Sequence, residues 1–261
     1  MRRERAPLPI GILATAGALF FIVPLAGLIL KTPWADAPRA LASADTLEAL
    51  RLSLVASLSS TALAIVLGVP LAWVYARVDF PGRNLLRALT TLPMVLPPVV
   101  GGIALLLAFG RRGVLGAWLD AAFGITLPFT TAGVVFAETF VAMPFLVLTV
   151  EAGLRSLDRR YELAARTLGA GRWTVLTRVT LPLIAPSLFA GAVVCWARAL
   201  GEFGATITFA GNFPGVTQTM PLAVYILLET NPEGSFILSL VLLAVSLVVL
   251  VGLRDRWLGW A

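Results

Sequence analysis

The chain contains 261 residues, of which 59% are hydrophobic and 13% are charged, and its formal net charge is +6. The charged fraction is about half that of an ordinary globular domain, and the mean hydropathy of +0.92 is correspondingly high. This composition excludes a soluble protein of this size and predicts an integral membrane protein. The basic residues are spread along the chain rather than gathered on a polar domain, which argues against nucleic-acid binding.

Six stretches are long and apolar enough to cross a bilayer, which requires about 20 residues. The first covers about residues 8–30, and because its apolar core exceeds that of a signal peptide we expect an uncleaved span. The other five lie at about 52–76, 88–110, 131–153, 183–209 and 234–253. The sequence therefore predicts an all-α polytopic membrane protein with six transmembrane helices.

The distribution of basic residues predicts the orientation of these spans. If the N-terminus is cytoplasmic, Arg198 lies within a span and fourteen of the twenty basic residues are cytoplasmic. The outside set is then Lys31, Arg39, Arg51, Arg111 and Arg112. Both termini are thus predicted to be cytoplasmic. We divide the chain into residues 1–47 (tail, first span and extracytoplasmic linker), a five-helix body at 48–253 and a cytoplasmic tail at 254–261.

One predicted cytoplasmic segment, "YELAARTLGAGRWTVLTRVTLPLIAP", is charged and helix-forming although it separates two spans. Asp158 is a candidate helix cap, and Gly169 and Gly171 predict the end of the helix. Helical spacing places Tyr161, Ala164 or Ala165, and Leu168 on one face, opposite Arg159, Glu162 and Arg166. Two interpretations remain open: a helix lying on acidic headgroups, or an element presented to a soluble partner with apolar anchors and an arginine rim.

The part "ELAARTLGAGRWTVLTRVTLP" resembles the EAA loop of binding-protein-dependent ABC importer permeases, whose pattern is E-A-A, three residues, G, nine residues, I-x-L-P. Gly169 fits the glycine, and Val179 through Pro182 match the ending, but the glutamate position falls on Leu163, one residue after Glu162. The resemblance implies the type I ABC importer transmembrane-domain fold and a coupling loop at 155–182 that docks on an ATPase. The residues it assigns to coupling are Tyr161, Glu162, Ala164, Ala165, Leu168, Gly169, Arg172, Trp173, Leu181 and Pro182.

Two further stretches resemble molybdate importer permeases: "RVDFPGRNLLRALTTLPMVLPPVVGGIALLLAFGRRGVLG" and "RALGEFGATITFAGNFPGVTQTMPLAVY". With the coupling loop, the resemblance covers about residues 50–250. Sulfate importer permeases share the Glu-Phe-Gly-Ala element, but the run from Thr206 to Thr219 is closer to the molybdate set. The resemblance therefore implies molybdate or tungstate as the transported ion, with sulfate or thiosulfate as the alternative.

Helix breakers in two spans, together with ionisable residues inside spans, predict a pathway or gate. Prolines and glycines interrupt the third and fifth spans, and such breaks are tolerated where the backbone faces protein or water. Each of them is also compatible with a simple kink or close helix packing. Glu138, Arg198 and Glu202 lie within spans, and the last two are four residues apart, so they can form a structural pair rather than an anion site. The predicted pathway or gate residues are Pro97, Pro98, Gly101, Arg198, Glu202, Phe203, Gly204 and Thr206.

The sequence contains no G-x-x-x-x-G-K-[ST] loop, so ATP and magnesium are expected in a separate subunit. We expect no catalytic residue and no metal site in this chain. The expected partners are a second copy of the chain, two ABC ATPase subunits, an extracytoplasmic oxyanion-binding protein and lipid, in a bacterial or archaeal cytoplasmic membrane. A gradient-driven secondary transporter would not need the charged loop, and the absence of histidine together with a single cysteine, Cys195, disfavours a membrane enzyme.

Overall fold

In this computed structural model, the structure describes residues 7–252, and every regular element among them is helical. The predicted all-α class is therefore confirmed. The predicted tail at 254–261 and the basic residues near the N-terminus lie outside the described residues. The helices are α1 (Leu8–Lys31), α2 (Ala37–Leu41), α3 (Ala44–Arg77), α4 (Arg83–Thr91), α5 (Pro98–Phe109), α6 (Gly116–Phe123), α7 (Thr131–Ser156), α8 (Arg160–Thr167), α9 (Arg172–Val175), α10 (Leu181–Leu183), α11 (Ala185–Leu200), α12 (Gly204–Ala210), α13 (Met220–Thr230) and α14 (Pro232–Gly252). A 3-10 turn at Leu92–Met94 and a π-helical turn at Leu176–Thr180 complete the set.

Four continuous helices are long and apolar enough to span a bilayer, namely α1, α3, α7 and α14. Two more spans exist only as bent pairs. The segments Arg83–Met94 and Pro98–Phe109 meet at 118°, and Arg172–Leu183 and Ala185–Leu200 meet at 70°. Counting each pair once gives the six predicted spans, but the third is sharply broken rather than continuous. Pro97 and Pro98 explain the break, because proline lacks an amide hydrogen and cannot continue a helix.

Other boundaries differ from the sequence prediction. Helix α3 begins at Ala44, where the Ser43 hydroxyl accepts a hydrogen bond from the Thr46 amide at 3.3 Å, so it runs 34 residues and contains Pro70. The predicted fifth span ends at Leu200 and resumes as α12 after a three-residue break. Helix α13 has 11 residues and was not predicted, because it is too short to span the hydrocarbon.

The main core forms where α3, α7 and α11 pack together around buried Tyr75, Leu146 and Cys195. Small residues permit this close packing: a Cβ on Gly68 would lie 3.0 Å from Leu146 Cδ2. Such small-residue contacts are typical of helix packing in membranes. Helix α1, in contrast, has no buried residue and contacts α14 at the edge of the bundle.

Candidate functional site

The predicted coupling loop forms two short helices joined by a glycine turn. Helix α8 begins one residue later than expected, with Arg159 as its N-cap, although the Asp158 carboxylate still accepts a hydrogen bond from the Arg160 amide at 2.9 Å. Its end is closed by Gly169, whose φ of +87° lies in the left-handed region. The Gly169 amide donates to the Arg166 carbonyl at 2.9 Å. The sequence prediction of a glycine break here is therefore confirmed.

Glu162 fixes this loop to the membrane bundle. Arg77 Nη2, at the end of α3, lies 3.1 Å from Glu162 Oε1, and the Thr180 hydroxyl donates to the same oxygen at 2.9 Å. All three side chains are buried or nearly so. The sequence grouped Glu162 with Arg159 and Arg166 on one helix face. Glu162 is buried against the bundle, while both arginines remain exposed. Periodicity identifies which residues share a face and does not tell which face meets the bundle.

The opposite face of the loop is apolar and exposed. Tyr161 is 58% exposed, Leu168 89% and Trp173 74%. Leu163, which shares the helix face of Glu162 and was not assigned to coupling, is also exposed. Exposed aromatic and aliphatic side chains in this number are typical of a protein contact surface.

The remaining residues assigned to coupling lie along the same loop. Ala164, Arg172 and Pro182 are exposed, while Ala165 and Leu181 are half-buried. The structure therefore brings the assigned residues into one continuous element, although it does not place them all on one face.

A second polar network, not found by sequence reasoning, fastens α4 to α7 and α3. The buried Glu151 pairs with both Arg87 and Arg155, and Arg155 Nη2 also donates to the Tyr75 carbonyl at 3.3 Å. The Tyr75 hydroxyl lies 2.7 Å from the Thr90 hydroxyl. Only the i,i+4 spacing of Glu151 and Arg155 was visible in the sequence.

The two helix breaks meet inside the bundle, where α5 packs on α12. A Cβ on Gly204 would lie 2.8 Å from Pro98 Cβ, and one on Gly101 would lie 3.3 Å from the Phe140 ring. Pro97 is the N-cap residue of α5 and is exposed. The glycines at these positions thus serve close helix packing, which was one of the two interpretations of the sequence.

Gly102 is the tightest point of this contact. A Cβ there would lie 2.6 Å from Thr208 Cβ and 2.9 Å from the Ala205 carbonyl oxygen. Gly102→Ala is therefore expected to lower the free energy of unfolding by about 1–3 kcal/mol through overpacking, measured by thermal unfolding in detergent. Gly17→Ala in α1 meets no atom within 4 Å and is the matched control. Equal melting temperatures for Gly102→Ala and Gly17→Ala would contradict close packing of Gly102 against Thr208 and Ala205.

Arg198 and Glu202 form the predicted pair. Arg198 Nη2 lies 2.6 Å from Glu202 Oε2, and Glu202 Oε1 accepts a hydrogen bond from the Ala205 amide at 2.8 Å. The carboxylate thus joins the end of α11 to the start of α12. Phe203, within the break, places its ring 5.0 Å from that of Tyr225 on α13.

Two buried polar groups near this pair have unsatisfied atoms. Among residues 7–252, Glu138 Oε2 and the Thr206 hydroxyl have no hydrogen-bond partner. Glu138 lies close enough to Glu202 for the two carboxylates to interact electrostatically. A buried polar atom without a partner is costly in a bilayer. These atoms consequently mark the polar centre of the bundle.

Replacing each of these two carboxylates by glutamine is expected to change the free energy of unfolding differently. Glu202→Gln removes the partner of Arg198 and is expected to lower the free energy of unfolding by about 1.5–3 kcal/mol. Glu138→Gln keeps the shape of a buried side chain whose Oε2 has no hydrogen-bond partner, so stability is expected to stay the same or rise. Thermal unfolding of both purified variants measures the difference. A larger loss in Glu138→Gln than in Glu202→Gln would show that these roles are reversed.

The fold and the charged loop define a polytopic transport component, and comparison with known proteins gives its family. The chain belongs to the family described as "Binding-protein-dependent transport system inner membrane component", which matches residues 47–257. This confirms the family resemblance drawn from the loop.

Individual relatives and a solved structure agree with this family. The chain is 46% identical over 243 residues to the molybdenum transport system permease protein ModB of Mycobacterium tuberculosis, covering 93% of this chain and 92% of the relative. It is 36% identical over 241 residues to the sulfate transport system permease protein CysT of Escherichia coli, covering 90% and 86%. A solved bacterial ABC transporter involved in alginate import has the same fold, with a TM-score of 0.74, 20% identity, and coverage of 96% and 94%.

Proposed function

We propose that this chain is the permease subunit of an ATP-driven importer that carries molybdate, or the related tungstate, across a bacterial or archaeal cytoplasmic membrane. The choice of molybdate rests on sequence identity. The chain is 46% identical to the molybdenum permease and 36% identical to the sulfate permease, over similar lengths. Sulfate or thiosulfate is the alternative substrate, since the two families share the Glu-Phe-Gly-Ala element.

The loop at 155–182 supports coupling to a separate ATPase. Its inner face is tied to α3 and to the π-helical turn through Glu162, and its outer face exposes Tyr161 and Leu168. A push on the outer face would thus reach the spans without first unfolding the loop. ATP and magnesium would bind to the partner, and the substrate would pass through this chain without covalent chemistry.

The proposed assembly contains two copies of this chain, two ATPase subunits and an extracytoplasmic oxyanion-binding protein. Basic residues concentrate on the side of the charged loop, which supports a cytoplasmic loop and cytoplasmic termini. A two-fold arrangement would place the pathway on the dimer axis. The unsatisfied Glu138 and Thr206 lie at the polar centre of each copy, whereas the Arg198–Glu202 pair supports a gate more than an anion site.

The deciding experiment is uptake into proteoliposomes that contain the chain and its ATPase, with ATP inside and the binding protein outside. Molybdate and sulfate are compared at equal concentration. Uptake of molybdate over sulfate that depends on ATP is the expected result. Preference for sulfate would overturn the substrate alone, while uptake driven by an ion gradient without ATP would overturn the coupling mechanism and favour a secondary transporter.

A further inference from the structure

A cavity of about 390 Å³ lies between the end of α3, helix α8 and the segment after Gly171. We call it the arginine pocket, because Arg77, Arg159, Arg166 and Arg172 line it together with a single carboxylate, Glu162. Residues 159, 162, 163 and 166 fall on one helical stripe, so the inner face of α8 forms one wall. The pocket is therefore on the opposite side of α8 from the exposed Tyr161 and Leu168.

The charges around this pocket are not balanced by the protein. Glu162 is already bound by Arg77 and Thr180. Among residues 7–252, neither Arg159, Arg166 nor Arg172 has an ion pair, and Arg77 Nε is buried without a hydrogen-bond partner. Guanidinium groups that line one pocket repel one another, and an anion between them would relieve that repulsion. The site thus has the donors for an anion such as phosphate, which arginine binds through paired N–H groups.

Apolar side chains also line the pocket, and they favour an anion that is attached to an apolar group. Trp73, Leu163, Val175 and Leu176 line the pocket beside the arginines. Trp73 lies one turn before Arg77, the last residue of α3, where the predicted span ends. Tryptophan at this level is typical of the membrane interface, and a free inorganic ion would gain nothing from such a wall.

We propose that the arginine pocket binds the headgroup of an anionic phospholipid of the same leaflet. Its phosphate would lie among the arginines, and its glycerol and upper acyl chains would lie against Trp73 and Leu176. Basic pockets at the cytoplasmic ends of transmembrane helices are known to recognise such headgroups. The lipid would fill the space behind α8 and hold the loop at a fixed distance from the bilayer. This inference rests on the cytoplasmic placement of the loop proposed above, but not on the transported ion.

The test uses the full-length chain in detergent, titrated with phosphatidylglycerol and separately with phosphatidylcholine, with bound lipid counted by native mass spectrometry. Arg166→Gln/Arg172→Gln removes two pocket arginines, both exposed, so folding is expected to be preserved. Arg160→Gln/Arg178→Gln is the matched control, because it removes the same charge from the same loop outside the pocket. A hydrogen bond to a charged group contributes at least about a factor of ten, so the pocket variant should bind phosphatidylglycerol at least about 100-fold more weakly.

Specific weakening in the pocket variant, with phosphatidylcholine unaffected, supports the proposal. Equal weakening in the control pair would mean a diffuse surface effect and would overturn it. If inorganic phosphate binds the pocket and phosphatidylglycerol does not, the ligand is a soluble anion and the proposal is overturned. Loss of bound lipid when the ATPase is added would assign the pocket to an acidic group of that partner. None of these results depends on ATP or molybdate, so failure here is distinguishable from failure of the proposed transport function.

Discussion

Replacement of Gly169 by valine is expected to abolish ATP-driven uptake while leaving the chain folded and inserted in the membrane. Gly169 has a φ of +87°, a conformation that a β-branched residue adopts only at a cost of about 1–2 kcal/mol. The turn can relieve that strain by changing its direction, which rotates α8 relative to α9. Because the outer face of α8 is the proposed contact with the ATPase, a rotated helix would no longer transmit the closure of the ATPase subunits.

No atom would lie within 4 Å of a Cβ at Gly169, so a side chain there would meet no steric obstacle. Backbone strain is therefore the whole effect, and Gly171 provides the control, since its φ is −67° and its surroundings are equally open. Gly171→Val is expected to transport nearly normally. Uptake and ATPase activity are measured for both variants in proteoliposomes. Normal uptake by Gly169→Val would contradict the assignment of Gly169 to the coupling loop.

Glu162→Ala is expected both to lower the stability of the chain and to uncouple ATP hydrolysis from transport. The substitution leaves Arg77 with a charge that is 9% exposed and no partner, and it removes the acceptor of the buried Thr180 hydroxyl. Breaking a buried ion pair from one side costs about 3–5 kcal/mol. The loop would then be held to the bundle mainly by its covalent ends, so ATP hydrolysis should continue without uptake.

A double-variant cycle separates this pair from general damage to the loop. Arg77→Ala/Glu162→Ala leaves no uncompensated charge, so its loss of stability should be smaller than the sum of the single losses. Asp158→Ala removes an exposed carboxylate four residues earlier that accepts the Arg160 amide hydrogen bond, so it is expected to lower stability by only about 1 kcal/mol and to leave uptake unchanged. Additive losses in the cycle would contradict the Arg77–Glu162 pair.

The spans and the glycine turn were predictable because their signals are local. Helix α7 was placed at 131–153 and runs Thr131–Ser156, since an apolar run of that length is sufficient evidence for a span. Gly169 was predicted because a helix stop needs only a residue that tolerates positive φ. In both cases the cause lies within about 20 residues of the effect.

The features that the sequence did not predict depend on contacts between residues that are far apart in the chain. Pro97 and Pro98 predict a break, but its 118° angle depends on the packing of α5 against α12. The contact between Arg87 and Glu151 joins residues 64 positions apart and leaves no spacing pattern. The inward orientation of Glu162 follows from Arg77, 85 residues earlier. Periodicity predicts which residues share a helix face, but it does not predict which other elements that face contacts.

The unusual length of α3 sets how far a movement of the loop can reach. Its 34 residues extend about 51 Å, so a tilt of only a few degrees at Arg77 displaces the opposite end by several ångströms if the helix behaves as a stiff rod. Pro70 interrupts that stiffness, because it supplies no amide hydrogen bond within the helix. The seven residues beyond it, about 10 Å of helix, carry Arg77 and are packed into the main core by Ala72 and Tyr75. A displacement of the loop would therefore act first on this packed end of α3 and on the neighbouring α7 and α11, and only then on the far end of the helix.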